Sequence, residues 1–210
     1  MSGIDHDNPC ERRSRKTLPL RYARVMDSFD TIRLHLRPLD ASDEAFYCSL
    51  YTDLRLMRHI AAPMSPEAAL HSFRVVLKHQ GDSRLVWAIA ERGKPECGIL
   101  GVMPKDDVAE VGVMLLPPAQ ARGFAAEVIA AVADVLFKTG RFRWLWTRHA
   151  AANAPAAALM RRLGFERFEA VDAELPSAGV PPEQMRWRLT YEAWTASSEA
   201  AAMATARPSR

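Results

Sequence analysis

Cysteine is scarce in this sequence: Cys10, Cys48 and Cys97 are the only three among 210 residues. Their odd number and irregular spacing predict no disulfide framework and no metal-ligand pattern. The six histidines are scattered along the chain and do not complete such a pattern. We therefore expect a reducing, cytoplasmic compartment and no bound metal.

The sequence also lacks a long hydrophobic run. A membrane-spanning helix needs about 18 or more consecutive apolar residues. The best candidate, residues 125–137, is interrupted by Glu127 and Asp134. The first 30 residues carry scattered charges with no apolar block after them, which is not the pattern of a signal peptide. We expect no membrane partner.

Nucleotide-binding glycine motifs are missing as well. The sequence contains no Gly-x-Gly-x-x-Gly fingerprint and no glycine-rich loop ending in Gly-Lys-Ser or Gly-Lys-Thr, so a dinucleotide-binding or nucleotide-hydrolysing domain is poorly supported. The net charge is only +3, and part of it lies within residues 1–28. That basic segment is able to contact nucleic acid. No known nucleic-acid-binding motif accompanies it, however, so a nucleic-acid partner is not expected.

The chain does have the composition of an ordinary globular domain, with 49% hydrophobic and 25% charged residues. A length of 210 residues suffices for one domain with tails. We predict a domain over residues 30–194. A disordered basic tail is predicted over 1–28, and a disordered tail rich in Ala and Ser over 195–210. The sequence leaves a homodimer open.

The pattern of apolar residues predicts the secondary structure. Period-two alternation or a short apolar run indicates a strand, and apolar residues at helical spacing behind a capping residue indicate a helix. The predicted strands cover residues 31–37, 85–90, 97–103, 108–116, 142–147, 165–171 and 185–194. The predicted helices cover residues 40–53, 65–79, 121–139 and 154–163. This order predicts an α/β fold with one mixed sheet of about six to seven strands and about four helices.

The segment from Leu115 to Ala126 is the most informative part of the chain. A strand-like run ends at Pro117 and Pro118, and a small-residue stretch around Gly123 then opens a helix. The first backbone N–H groups of a helix have no partner within it, and the helix dipole makes that end positive. Because glycine and alanine keep side chains away, a phosphate group fits directly on these amides.

Three local motifs resemble those of the GNAT acyltransferase superfamily. The first is Ala-Glu-Val-Gly-Val-Met-Leu-Leu-Pro over residues 109–117, followed by Gln-x-x-Gly-x-Ala over residues 120–125. The second, residues 153–165, is similar to the closing Asn…Leu-Gly-Phe signature of these enzymes. The third, residues 53–60 with residues 65–68, resembles the helix pair of the branch that contains the Rim-type ribosomal-protein acetyltransferases. The resemblance spans about residues 32–194 and implies the GNAT fold, with its sheet splayed at the acyl-CoA site.

The resemblance implies acetyl-CoA as the acyl donor and indicates which residues bind it. The strand edge at Val113, Met114 and Leu115 matches the backbone that holds the pantetheine arm. Asn153 matches the family asparagine that hydrogen-bonds the same arm, and a plain helix cap explains this residue equally well. The pyrophosphate is assigned to the backbone of Gln120, Ala121, Arg122, Gly123, Phe124, Ala125 and Ala126.

Glu110 is the candidate general base. It lies on the central strand just before the cofactor edge, where the family often uses an acidic residue or an ordered water, and an ammonium must lose a proton before it attacks a thioester. Pairing with Arg37 or Arg148 is the alternative role for this carboxylate.

The proton donor for the leaving thiolate is not assigned. Many relatives have Tyr where this chain has Met160, and some Rim-type relatives have Ser where it has Ala156, and neither replacement donates a proton. The alternatives are another donor, a thiolate that leaves unassisted, and acyl-CoA binding without turnover. The other donors considered are Tyr47, Tyr51, His59 and His149.

The acceptor is expected to bind between the first helix pair and the loop over residues 172–184. Three acids of that loop, Asp172, Glu174 and Glu183, are suited to attract a cationic amine. The function implied is transfer of an acetyl group from acetyl-CoA to a primary amine, a protein N-terminus or a small amine, by direct transfer in a ternary complex. The alternative is a non-catalytic acyl-CoA-binding regulatory module of the same fold.

Overall fold

The structure, a computed structural model, describes residues 22, 25–169 and 184–196. Its strands are β1 (Phe29–Asp30), β2 (Leu34–Pro38), β3 (Leu85–Glu91), β4 (Glu96–Lys105), β5 (Val108–Leu115), β6 (Trp144–Ala150), β7 (Glu166–Arg167) and β8 (Gln184–Thr190). Its helices are α1 (Glu44–Thr52), α2 (Leu54–Met57), α3 (Pro66–His79), α4 (Phe124–Lys138) and α5 (Ala154–Arg162). Residues 191–196 are also helical, and 3₁₀ turns cover Ala41–Asp43 and Pro117–Ala119. None of the described helices is long and apolar enough to cross a membrane.

The eight strands form one mixed sheet in the order β1-β2-β3-β4-β5-β6-β8-β7. All neighbouring pairs are antiparallel except β5 and β6, which are parallel. The β5–β6 pairing stops at Glu110 opposite Trp146, yet β5 continues to Leu115 and β6 to Ala150. The sheet is therefore splayed between these two strands, as predicted.

Helices cover both faces of the sheet, and alternate residues of β3 show this directly. Trp87 belongs to the core cluster that contains Val128 of α4, whereas Ala88 belongs to the cluster that contains Phe73 of α3. Successive side chains of a strand point to opposite faces, so a strand buried on both sides is apolar throughout. This explains why residues 85–90 form a continuous apolar run in the sequence.

A glycine sets the spacing of β4 and β5 beside the splay. Gly98 lies opposite Leu115 in the register. A Cβ atom at Gly98 would lie only 2.3 Å from the carbonyl oxygen of Met114, a distance that no side chain tolerates. Gly98 therefore permits a close approach of β4 to the end of β5 that carries Val113, Met114 and Leu115.

The predicted fold class is confirmed, and the number of elements is somewhat larger than expected. The sheet gains β1, which has only two residues, and the four-residue α2 precedes α3. Elements this short contain too few residues to show an apolar period. The strand predicted over residues 185–194 ends at Thr190, because Tyr191 and Trp194 lie in a helical segment whose rings contact Phe137 of α4.

The predicted tails lie mostly outside the described residues. Two residues of the predicted N-terminal tail are nevertheless described and buried: Tyr22 is 3% exposed and Val25 is 7% exposed. Tyr22 stacks on Phe142 with ring centroids 5.8 Å apart. The packed core thus includes residues that precede position 28.

Candidate functional site

The loop between β5 and α4 turns through two residues with left-handed backbone. The side-chain amide of Gln120 donates a hydrogen bond to the carbonyl oxygen of Leu115 at 2.8 Å, which fixes the loop against the end of β5. Ala121 has a φ of 58° and Gly123 a φ of 81°. Gly123 is the residue before the first turn of α4. The left-handed region is natural for glycine and costs about 1 kcal/mol for alanine.

The first turn of α4 is the predicted anion-binding site. No side chain of Gly123 caps its amides, because glycine has none. A Cβ atom added to Gly123 would lie 3.4 Å from a guanidinium nitrogen of Arg33. The amides at the start of a helix and the dipole of a 15-residue helix both favour a negative group here. The backbone of residues 120–126 therefore fits a pyrophosphate.

Two arginine side chains lie over the ring of Phe124, beside this helix end. The guanidinium of Arg33 lies 4.7 Å and that of Arg122 lies 4.3 Å from the ring centroid. Arg33 also donates to the carbonyl oxygen of Arg122 at 2.9 Å, and Arg122 forms an ion pair of 2.8 Å with Glu91. Hydrogen bonds from Arg122 and Lys94 lower the pKa of Glu91 to about 2. The cations near the loop are thus held in fixed positions.

Glu127 connects the start of α4 to β2. Its carboxylate accepts hydrogen bonds from the hydroxyl of Thr31 and from the backbone amide of Arg33, and it forms an ion pair of 2.7 Å with the Arg33 side chain. Burial alone raises the pKa of Glu127, but these hydrogen bonds outweigh burial and the pKa lies below its usual value. Nothing in the sequence predicts this contact, because Arg33 and Glu127 are 94 residues apart.

We expect Glu127→Gln to lower the free energy of unfolding by about 1 kcal/mol at neutral pH, since Arg33 is partly exposed and screened. The lowered pKa means that the carboxylate stabilises the fold above its unfolded-state pKa and that this stabilisation is lost as the pH falls through the folded-state pKa. Denaturant unfolding of both proteins at neutral and acidic pH measures the difference. A difference that does not shrink at acidic pH would contradict this role.

Glu110 lies where β5 and β6 separate, and it is paired with an arginine. Its carboxylate contacts Arg148 at 2.9 Å, and its side chain is only 15% exposed. Burial raises the pKa of Glu110, and the Arg148 charge opposes part of that rise. The other predicted partner, Arg37, instead binds Asp43 and Glu96. A buried carboxylate with a raised pKa is suited to accept a proton near neutral pH.

Two of the four proton-donor candidates have structural roles. The Nε2 atom of His149 accepts a hydrogen bond from the Trp187 indole at 2.9 Å, and its Nδ1 atom donates to the carbonyl oxygen of Ala150 at 2.9 Å. The Tyr47 hydroxyl is hydrogen-bonded to Ser72 at 3.0 Å.

The other two candidates, Tyr51 and His59, lie in different surroundings. Burial raises the pKa of Tyr51 well above its usual value, so this phenol stays protonated. Its ring lies 4.5 Å from that of Tyr47, between centroids. His59 lines a surface cleft, and its Nε2 atom accepts from Arg58 at 3.2 Å.

Asn153 and Met160, at and within α5, have structural roles. The Asn153 side chain accepts a hydrogen bond from the Ala156 amide at 3.2 Å and therefore caps α5. Met160 is 4% exposed and belongs to the hydrophobic core. The cap uses only the side-chain oxygen of Asn153, and a cofactor contact through its side-chain nitrogen stays a prediction.

The predicted cofactor edge borders the opening in the sheet. Val113, Met114 and Leu115 pair with β4 on one side. On the other side the pairing with β6 has already ended at Glu110. Backbone groups on an unpaired strand edge bind an extended ligand in the manner of an added strand. The structure thus brings together Glu110, this edge and the loop at the start of α4.

A cleft of about 720 Å³ lies beside the C-terminal end of β6. It is lined by Leu54, Arg55, Arg58, His59, Ile60, Ala61, Ala62, Pro63, Ala150 and Gln184. The helix pair that lines it is one side of the expected acceptor site. The loop expected on the other side, with Asp172, Glu174 and Glu183, lies outside the described residues except for Gln184. The arginines of the cleft were missed in the sequence, where nothing distinguishes them from solvated surface residues.

Residues 33–166, more than half of the 210-residue chain, match the family model described as an acetyltransferase (GNAT) domain. No curated protein matches the sequence at a significant level. Among solved structures, an acetyltransferase from Agrobacterium tumefaciens is 24% identical, with 77% of this chain and 93% of that chain covered and a TM-score of 0.62. Spermidine N-acetyltransferase from Vibrio cholerae, solved with CoA and spermine, is 18% identical, with 78% and 98% covered and a TM-score of 0.65. An aminoglycoside acetyltransferase solved with coenzyme A is 15% identical, with 79% and 99% covered and a TM-score of 0.64.

Proposed function

Because the chain belongs to the GNAT acetyltransferase family, we propose that it moves an acetyl group from acetyl-CoA to a primary amine by direct transfer in a ternary complex. The observation that carries this proposal is the placement of a buried carboxylate, Glu110, at the point where β5 and β6 separate. That opening adjoins an uncapped helix start at Gly123. One end of the site thus suits a pyrophosphate, and the other end holds a group that accepts a proton.

The loop and the strand edge bind the donor in this proposal. The amides at the start of α4 hold the pyrophosphate, and the backbone of Val113–Leu115 pairs with the two amides of the pantetheine arm. Asn153 adds a side-chain contact to the same arm. Acetyl-CoA supplies a thioester whose carbonyl carbon is the electrophile. Holding both substrates in one opening is the largest expected source of rate enhancement.

Glu110 prepares the acceptor for attack. A protonated amine is not a nucleophile, so its proton must pass to a base before the carbon–nitrogen bond forms. The ionised Glu110 carboxylate accepts that proton, and Arg148 holds the carboxylate in place. The thiolate of coenzyme A is a good leaving group and needs no proton donor. The Tyr51 phenol, which is protonated at neutral pH, stays a candidate for that role.

The domain bounds, the acceptor and the cellular location complete the proposal. The catalytic domain spans about residues 30–194, and the packed core also includes Tyr22 and Val25. The acceptor is a protein N-terminus or a small amine, as in the Rim-type branch that the helix pair resembles. The protein acts in the cytoplasm, and a homodimer is compatible with a site built within one chain.

Calorimetric titration with acetyl-CoA, with coenzyme A in parallel, tests the donor site. Micromolar binding of both ligands is expected, followed by thiol release when a primary amine is added. No heat and no thermal stabilisation near millimolar ligand would refute the proposed function. Binding without thiol release from any amine would support the alternative, a non-catalytic acyl-CoA-binding module.

A further inference from the structure

The described lining of the cleft next to β6 is cationic. Arg55 and Arg58 line it, and no carboxylate lines it among the described residues. Neither arginine forms a salt bridge with a carboxylate in the described part of the chain. Two guanidiniums without a carboxylate partner among the described residues favour an anionic group on the ligand.

The same cleft carries features of a binding site rather than of ordinary surface. Four large hydrophobic side chains are exposed among the described residues, and two of them line this cleft. They are Leu54, which is 72% exposed, and Ile60, which is 42% exposed. Gln184 also lines it, and its side-chain oxygen is buried without a hydrogen-bond partner in the described structure. Exposed apolar side chains beside an unpaired buried acceptor indicate a ligand with an apolar body and a hydrogen-bond donor.

The cleft leads toward the candidate base. Ala150 and Gln184, which line it, are register partners, and Arg148 and Arg186 form the next pair on the same face of the sheet. Two residues along a strand span about 6–7 Å. Arg148 in turn contacts Glu110. An acceptor with its anion at Arg55 and Arg58 is therefore able to extend its amine toward Glu110.

We propose that the acceptor is a zwitterionic small molecule, a primary amine with an apolar body and a carboxylate or phosphate group. Arg55 and Arg58 bind the anion, and Glu110 receives the ammonium proton. This inference rests on the proposed amine acetylation and names the substrate class of the same site.

Thiol release from acetyl-CoA with matched amines tests the inference. Leucine and leucinamide share an α-amine and an apolar side chain, but only leucine has an anion. The leucinamide amine is the less basic one and is more fully deprotonated at neutral pH, so a preference for leucine does not come from amine reactivity. We expect kcat/KM for leucine to exceed that for leucinamide by about tenfold or more. O-phosphoethanolamine distinguishes phosphate from carboxylate, and spermidine represents a polycation.

The double variant Arg55→Gln/Arg58→Gln should raise KM for leucine by about tenfold with kcat within about twofold, because it removes binding that is equal in the ground and transition states. The rise in KM should be at least about fivefold larger for leucine than for leucinamide, which has no anion. Arg74→Gln is the matched control, since Arg74 is an exposed arginine of α3 outside the cleft. Equal or faster turnover of leucinamide or spermidine would overturn the anion assignment while leaving amine acetylation intact.

If no amine releases thiol, binding measurements distinguish a failure of the proposed function from a failure of this inference. In that case the proposed function fails, and calorimetry of leucine and leucinamide with the CoA-loaded protein decides the inference by itself. Binding of leucine alone, lost in the double variant, would support the anion site. Equal binding of the two amines, or none, would overturn it.

Discussion

The Gly123→Glu variant is expected to lose acetyl-CoA binding, with a dissociation constant raised by more than about 100-fold. The new carboxylate would lie at the start of α4, where it competes with the pyrophosphate for the same backbone amides and repels it. Its side chain would also enter the space beside Arg33, whose guanidinium would lie 3.4 Å from a Cβ atom added at Gly123. Calorimetric titration with acetyl-CoA measures the loss.

This variant should remain folded, because two effects on stability nearly cancel. A left-handed residue other than glycine costs about 1 kcal/mol, while an acidic group at a helix N-terminus gains about 0.3–1 kcal/mol. Thermal unfolding checks that the protein is intact.

Gly140→Glu is the control for backbone strain. Gly140 has a φ of 66° beyond the opposite end of α4, and a Cβ there would meet nothing within 4 Å. The control variant should bind acetyl-CoA normally. Retained binding in a folded Gly123→Glu protein would remove the loop from the donor site.

Glu110→Gln should lower kcat by about 100-fold or more while leaving acetyl-CoA affinity unchanged. The amide keeps the size of the side chain and its contact with Arg148 but no longer accepts a proton from the amine. Steady-state thiol release and calorimetry on the same preparation separate the two effects. Glu166→Gln is the matched control, because Glu166 also pairs with an arginine, Arg188, at an exposed edge of the sheet. Equal loss in both variants, or no loss in Glu110→Gln, would rule out the base.

The pH profile gives a sharper test of the same carboxylate. Activity requires ionised Glu110, so kcat/KM should fall as the pH drops below its pKa, which burial has raised. Arg148 opposes that rise, and Arg148→Gln should therefore move the acidic limb of the profile to higher pH. The limb should disappear in Glu110→Gln. A limb that is identical in all three proteins would belong to another group.

The local elements of this protein are largely predictable from sequence because they depend on neighbours along the chain. The loop over residues 120–126 is identified by two prolines, a glycine and the apolar stripe of the helix that follows. Asn153 is predicted as a helix cap and is found as one. The end of β8 was predicted less well, since the ring contacts of Tyr191 and Trp194 with Phe137 come from a distant part of the chain.

The sequence by itself determined the fold class and, through motifs that resemble the GNAT superfamily, the family, because both depend on residue types at short, fixed spacings. It also predicts an anion-binding loop over residues 120–126. Only the tertiary structure decided that Glu110 pairs with Arg148 rather than Arg37, and that Arg33 and Glu127 join β2 to α4. It also placed Arg55 and Arg58 in one cleft with Gln184. The physical reason is that a charged group takes its partner, its burial and therefore its pKa from whatever packs around it, and those neighbours are far away in the sequence.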